Sequence, residues 1–255
     1  MDAIEYLHMY DEEESHWWYL GMREIVQGLL PPETLPSNPR ILDAGCGAGF
    51  TMGWLRSQYG GFPVGIDCNW SSMVFCRKRG ESSLVFGDVA ALPFEADAFD
   101  LIASFDVLSE VGHAGARAAA LRNFHRVLKP GGKLILRLPA YEWLRSAHDA
   151  AVSTRHRFGK RELRRALENA GLVCCDLTFA NSLLFPVAAA WRLSRRGKTG
   201  SDVNSRTRGS AWSNAFMARL LRAEAFALKR GIRFPWGLSL LAVAAKPAVS
   251  AMPGE

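Results

Sequence analysis

Nowhere does this 255-residue chain offer the roughly 20 consecutive apolar residues that a bilayer-spanning helix needs. The longest such run, around LLFPVAAAW from Leu183, falls far short. The first twenty residues lack the basic start and apolar centre of a secretory signal, and carry Asp2, Glu5 and the acidic run 11–14 instead. These absences predict a cytoplasmic protein that crosses no membrane. Cysteine is sparse and odd in number: Cys46, Cys68, Cys76, Cys174 and Cys175 include no CxxC and no His/Cys grouping at zinc spacing. A disulfide framework and a metal site are therefore not expected, and the cysteines read as small apolar filling. Internal repeats are missing, as is low-complexity sequence outside a polar Gly/Ser-rich link at 197–210.

What charge there is runs basic, +6 overall, and it is concentrated in RHRFGKRELRR from Arg155 and RLSRRGKTGSDVNSRTR from Arg192. Such clusters suit nucleic acid, anionic lipid, a phosphorylated acceptor or a plain solvated helix face, and composition does not choose between them.

Short apolar runs bounded by glycine, proline or acid alternate with helical patterns. Strands are expected at RILDA (from Arg40), FPVGI (Phe62), SLVF (Ser83), FDLIAS (Phe99), KLILRL (Lys133), LVCCDLTF (Leu172) and LSLLAVAA (Leu238). Helices are expected near 50–59, 70–79, 114–128, 141–151 and 160–170. Strand and helix in alternation predict an α/β fold whose mainly parallel, doubly wound sheet is covered on both faces. Two segments stand outside the alternation. The first, within residues 1–32, should pack as a helix through Trp18, Met22, Ile25, Val26, Leu29 and Leu30. The second, residues 180–237, is too long for a structureless loop and reads as a helical cap inserted before the last strand. The core of this single domain is then 40–179 plus 238–247.

The stretch ILDAGCGAGF, from Ile41, places a glycine-rich turn after a strand. A P-loop would require Gly-Lys-Ser/Thr, which the chain lacks; a dinucleotide fingerprint would require a third glycine where Phe50 stands. What is present is Asp43 followed by Gly45, Gly47 and Gly49, a turn that lets backbone approach a ligand without pyrophosphate while a carboxylate waits beside it. Asp67 closes the second strand, where an acid accepts both hydroxyls of a ribose. Asp88 follows the third strand, where it or the next amide meets an adenine edge. In order, at consecutive strand ends, these residues describe a pocket for an adenosine with a charged amino-acid tail.

Those motifs resemble class I S-adenosylmethionine-dependent methyltransferases: ILDAGCGAGF, VGID, GDVAALPF, FDLIASFDVL and RVLKPGGKLIL match the family's successive motifs over 40–138. EESHWWYLG, LPAYEWLRSAHD and RFPWGLSLLAVAAKP further resemble a bacterial small-molecule subgroup. The resemblance implies a Rossmann-like, seven-stranded sheet with the last strand antiparallel, S-adenosyl-L-methionine as cofactor, and a cofactor site to which Trp18, Arg23, Cys46, Cys68, Val89 and Phe105 add. This chain departs where DVLSEV puts Glu110 in place of a common histidine, where WWYLGMR keeps only Arg23 of an arginine-rich motif, and where HRFGK follows the usual histidine.

Transfer from a sulfonium is an in-line displacement, so proximity, alignment and exclusion of water do most of the work, and a base is optional. The candidates for one are His148 with Asp149, His156, Tyr141 and Glu110. The expected acceptor is a small molecule, amphiphilic or anionic, methylated at oxygen. No nucleic acid is expected; peripheral membrane contact, and a monomer or homodimer, suit the basic and apolar cap. Methylation of RNA or protein, and cofactor binding without chemistry, are the competing readings.

Overall fold

The computed structural model describes residues 3–146, 149–150, 152–194 and 211–248. Seven strands form one sheet: β1 (Arg40–Ala44), β2 (Phe62–Asp67), β3 (Leu84–Phe86), β4 (Phe99–Phe105), β5 (Leu128–Pro139), β6 (Val173–Ala180) and β7 (Ser239–Ala245). Their order is β3-β2-β1-β4-β5-β7-β6, with β7 antiparallel to both neighbours and the pairs among β1 to β5 parallel. Every residue of β7 is buried, as is nearly all of β1, so these strands read as unbroken apolar runs instead of alternating ones. The order reverses at β1/β4, and ligands of open α/β sheets bind beyond the strand ends at such a switch point.

The helices are α1 (Ala3–Glu12), α2 (Trp17–Leu29), α3 (Phe50–Tyr59), α4 (Trp70–Lys78), the single turn α5 (Val107–Glu110), α6 (Ala114–Val127), α7 (Lys160–Asn169), α8 (Phe185–Ser194) and α9 (Ala211–Lys229). One sheet face carries a cluster that includes Phe124, Leu134, Leu163 and Leu167. The other is covered by α2 and α9, whose Met22, Ile25, Leu221 and Leu228 pack with Ile41, Leu101 and Leu241 of the strands. Each such fully buried aliphatic side chain contributes about 1.5–3 kcal/mol over leaving it in water.

Three expectations change. The helix expected in the N-terminal segment is present as α2, and a second, α1, precedes it; Glu13 of the acidic run between them is buried. The ring of His16 caps α2 by accepting the Trp18 N–H at 3.3 Å. Of the helix expected over 141–151, the described residues hold a 3₁₀ turn at Glu142–Leu144 and helical residues at 149–150. Between them the Asp149 carboxylate takes the Ser146 N–H at 2.7 Å, and Arg145 donates to the Thr154 and Arg155 carbonyls. Finally, the segment read as a cap is divided: α9 is largely a layer on the sheet, because Gly21 of α2 lets Leu221 approach so closely that a Cβ there would stand 2.4 Å from it.

Candidate active site

A cavity of about 1760 Å³ opens beyond the carboxyl ends of the strands. Its cofactor end begins with the glycine turn. Gly45, Gly47 and Gly49 all have positive φ (88°, 55° and 89°), which side-chain-bearing residues adopt at a cost. A Cβ on Gly45 would lie 2.1 Å from Val107, so only a bare backbone passes there. Gly47 and Cys46 line the cavity, whereas Gly49 turns toward α4, where Cys76 blocks any side chain.

Asp67 faces the turn. Its carboxylate accepts the N–H of Gly47 at 3.1 Å and of Asn69 at 2.9 Å, and the Tyr6 hydroxyl at 3.3 Å; burial holds its pKa above the usual carboxylate range. Asp43 is more extreme. It is 2% exposed, Oδ2 has no hydrogen-bond partner, and burial raises its pKa well above the ordinary value. An orphaned buried carboxylate oxygen in a cavity wall wants a cationic donor. A primary ammonium satisfies it, ribose hydroxyls suit Asp67, and the glycine turn admits backbone contact, so these residues fit S-adenosylmethionine. Cys68, Asp88, Val89, Phe105, Trp18 and Arg23 also line this cavity. Asp88 additionally caps a short turn by accepting the Ala90 N–H at 2.8 Å.

The expected proton acceptors are scattered. Glu110 lines the cavity, and burial, with Asp106 and Asp67 nearby, pushes it up to about 7. Asp149 also lines it, but is committed to a buried ion pair with Arg157 at 2.7 Å. His156 turns away to Glu162 of α7 at 2.6 Å, and Tyr141 stacks on Phe179 with ring centroids 5.1 Å apart; neither borders the cavity. His148 lies outside the described residues.

The structure also brings in residues that the motifs did not single out. Arg137 of β5 is held between Trp18 (4.6 Å) and Phe105 (4.9 Å) and pairs with Asp106 at 2.7 Å. Asp106 itself has φ 65°, a strained conformation for a non-glycine residue at the edge of a functional cavity. The alternation of KLILRL, which puts a charged residue within an apolar strand, was the available signal for Arg137. Glu13, pushed up to about 7 by burial, lies 3.5 Å from Arg79 and also borders the cavity. At the acceptor end, Leu184, Val187 and Ala188 of the α8 region and Met217 of α9 supply an apolar wall. No group of His, Cys, Asp and Glu suited to a metal occurs among the described residues.

The sheet order is that of class I S-adenosylmethionine-dependent methyltransferases, and the site residues fit their cofactor. Residues 42–136 match the family model described as a methyltransferase domain. A protein of Encephalitozoon cuniculi named as a methyltransferase is 38% identical over 107 residues, 42% of this chain and 46% of its own. The tRNA (carboxymethyluridine(34)-5-O)-methyltransferase of Arabidopsis thaliana is 32% identical over 123 residues, 48% of this chain and 28% of its own. The chain thus spans less than half the length of these curated relatives. Among solved structures, one in the Haloferax volcanii complex of the Trm112 methyltransferase activator with a methyltransferase superposes with a TM-score of 0.62 at 20% identity, covering 95% of this chain and 94% of its own. The Haemonchus contortus phosphoethanolamine N-methyltransferase 2, solved with S-adenosylhomocysteine, gives 0.57 at 17% identity, covering 90% and 53%.

Proposed function

We propose that this protein methylates a small, amphiphilic acceptor at an oxygen atom by direct in-line transfer from S-adenosylmethionine. When bound, the cofactor supplies the electrophilic methyl. The observation that carries the reading is the continuity of the cavity: Asp43, Asp67 and the glycine turn line one end, and the apolar side chains of α8 and α9 line the other. Asp67 holds ribose hydroxyls, Asp43 the ammonium, and Phe105 with Trp18 excludes water. The acceptor end sets the apolar side chains of α8 and α9 beside polar ones that include Arg137, Asp106, Asn181 and Asn214, which suits a molecule with an apolar body and a polar group. An acceptor oxygen that is already anionic needs no base. For a hydroxyl, Glu110 is a cavity carboxylate whose affinity for a proton is matched to neutral pH, and unlike Glu13 it has no arginine within ion-pair distance among the described residues. His156 and Tyr141 have no part in that step, and Asp149 serves to hold Arg157.

A second reading has a specific basis. The Arabidopsis relative is named for methylating a carboxymethyl oxygen on tRNA, and this chain carries a net charge of +6. The two separate in one experiment, in which the protein is incubated with methyl-tritiated S-adenosylmethionine and either a small-molecule cell extract or total tRNA. Label in the organic-soluble fraction is expected. Label in tRNA alone would overturn the small-molecule reading. Cofactor binding without label in either fraction would favour a binding protein.

A further inference from the structure

Helix α1 lies across the cofactor end of the cavity, although none of the methyltransferase motifs falls within it. Tyr6 is only 3% exposed; its ring packs with Ala48 of the glycine turn and Phe75 of α4, and its hydroxyl reaches Asp67. Met9 sits over Gly47 so closely that a Cβ on that glycine would stand 3.0 Å from its sulfur. One cation fastens the arrangement. Arg79, just past α4, donates from Nε to the Ala48 carbonyl at 3.0 Å, and from its two other nitrogens to the Tyr10 carbonyl and the Glu14 carboxylate. Its guanidinium also lies over the rings of Tyr10 (4.3 Å) and Phe50 (5.2 Å). Asp43 and Asp67, only 2% and 8% exposed, line the cavity at this end.

The hydrogen bonds on Asp67 sharpen the point. An ionised carboxylate offers about four acceptor positions, and a vicinal diol engaging it in bidentate fashion uses two. Three are accounted for here by Gly47, Asn69 and Tyr6. The two backbone donors are fixed by the turn that defines the site. Tyr6 makes the longest of the three bonds; the Ser72 hydroxyl, which also acts on this carboxylate, is engaged with the Gly47 carbonyl at 2.6 Å, so the Tyr6 hydroxyl is the group that can turn from the carboxylate to an incoming ribose oxygen.

We propose that α1 is the roof of the cofactor site: Tyr6 binds the ribose beside Asp67, and α1, pinned by Arg79, must lift for the nucleoside to enter or leave. This rests on the cofactor reading above. The test uses the full chain with S-adenosylhomocysteine as the probe. Backbone hydrogen exchange over residues 3–12 is expected to slow at least ~10-fold on saturation, because the bound nucleoside holds the roof shut. Tyr6→Phe, which keeps the ring, is expected to weaken binding ~3- to 10-fold, the excess of a well-formed ribose hydrogen bond over the long 3.3 Å bond to Asp67 that it replaces, and to lower the unfolding temperature of the free protein only slightly. Arg79→Leu is expected to raise the rates of both ligand entry and release in stopped-flow fluorescence, since it favours the lifted state. A contact that merely supports the fold would not speed entry. Exchange over 3–12 that ignores saturating ligand, unchanged affinity in Tyr6→Phe, or unchanged entry in Arg79→Leu would each overturn the roof. Should the wild type bind neither S-adenosylmethionine nor its demethylated product, the methyltransferase reading itself would fail, and the roof with it; binding with an indifferent α1 overturns the roof alone.

Discussion

Replacing Asp43 with asparagine should move stability and cofactor affinity in opposite directions. In the ligand-free fold the carboxylate is buried and Oδ2 is without a partner, an arrangement that costs about 1–3 kcal/mol relative to a satisfied or neutral group. The amide has nearly the same shape and no charge, so the variant should unfold at the same temperature or a few degrees higher, at about 2–4 °C per kcal/mol for a domain of this size. With ligand, the loss is of a charge-assisted hydrogen bond worth about 1.5–3 kcal/mol, or roughly 10- to 150-fold in affinity. Thermal unfolding and calorimetric titration with S-adenosylhomocysteine measure the two effects on the same samples. The pH dependence has a definite sign. Because burial raises the folded-state pKa of Asp43, the folded protein holds that proton more tightly than the unfolded chain does. Acidification through the window between the ordinary and the raised pKa therefore stabilises the ligand-free wild type relative to the variant, and over the same window it weakens ligand binding to the wild type. Joint loss of stability and affinity in Asp43→Asn would mean that the carboxylate is structural, and unchanged affinity would remove it from the site.

Other outcomes follow from the same geometry. Gly45→Ala should abolish measurable S-adenosylhomocysteine binding and lower the unfolding temperature, because the added carbon meets Val107 and the residue sits at φ 88°; retained binding would mean the turn has slack. Asp149→Ala should cost about 3–5 kcal/mol in denaturant unfolding by leaving Arg157 buried and unpaired, and adding Arg157→Met should recover much of it; a double variant no better than the single would deny the pair that role. Glu110 loses its proton near pH 7, so the affinity ratio of cationic S-adenosylmethionine to its neutral product should rise as the pH passes upward through 7. Glu110→Gln should flatten that rise, while titration of Glu13 remains as a background common to both proteins. A ratio independent of pH in the wild type would separate Glu110 from the sulfonium.

Most of the sheet was legible because a parallel strand buried on both faces must be an apolar run, and because glycine and acid at strand ends are demanded by backbone geometry and hydrogen bonding. The glycine-turn end of the cavity shares that legibility: Asp43, Gly45, Gly47 and Asp67 all line it, from positions that local sequence defines. The acceptor end does not. Tyr141 and His156 looked available because a sequence displays side-chain chemistry without direction, whereas Phe179 and Glu162 claim them from elements packed later in the chain. Arg79 and Tyr6 were invisible for the converse reason, since each matters through partners between 30 and 70 residues away. The basic run beginning at Arg192 falls largely outside the described residues, while in the run from Arg155 the structure buries Arg157 in an ion pair and leaves Arg155 exposed.

The packing of α9 on α2 also governs how the chain acquires its shape. The Trp17 N–H donates to Asn214 across 197 positions at 3.0 Å, and Gly21 receives Leu221 across a similar span. One face of the sheet therefore cannot be covered until most of the polypeptide has left the ribosome. Contacts of such long sequence separation form slowly, and the apolar side chains of the early strands wait exposed in the meantime. Chaperone dependence and a refolding yield that falls with protein concentration are the expected signature, and both should worsen when the first 30 residues are removed.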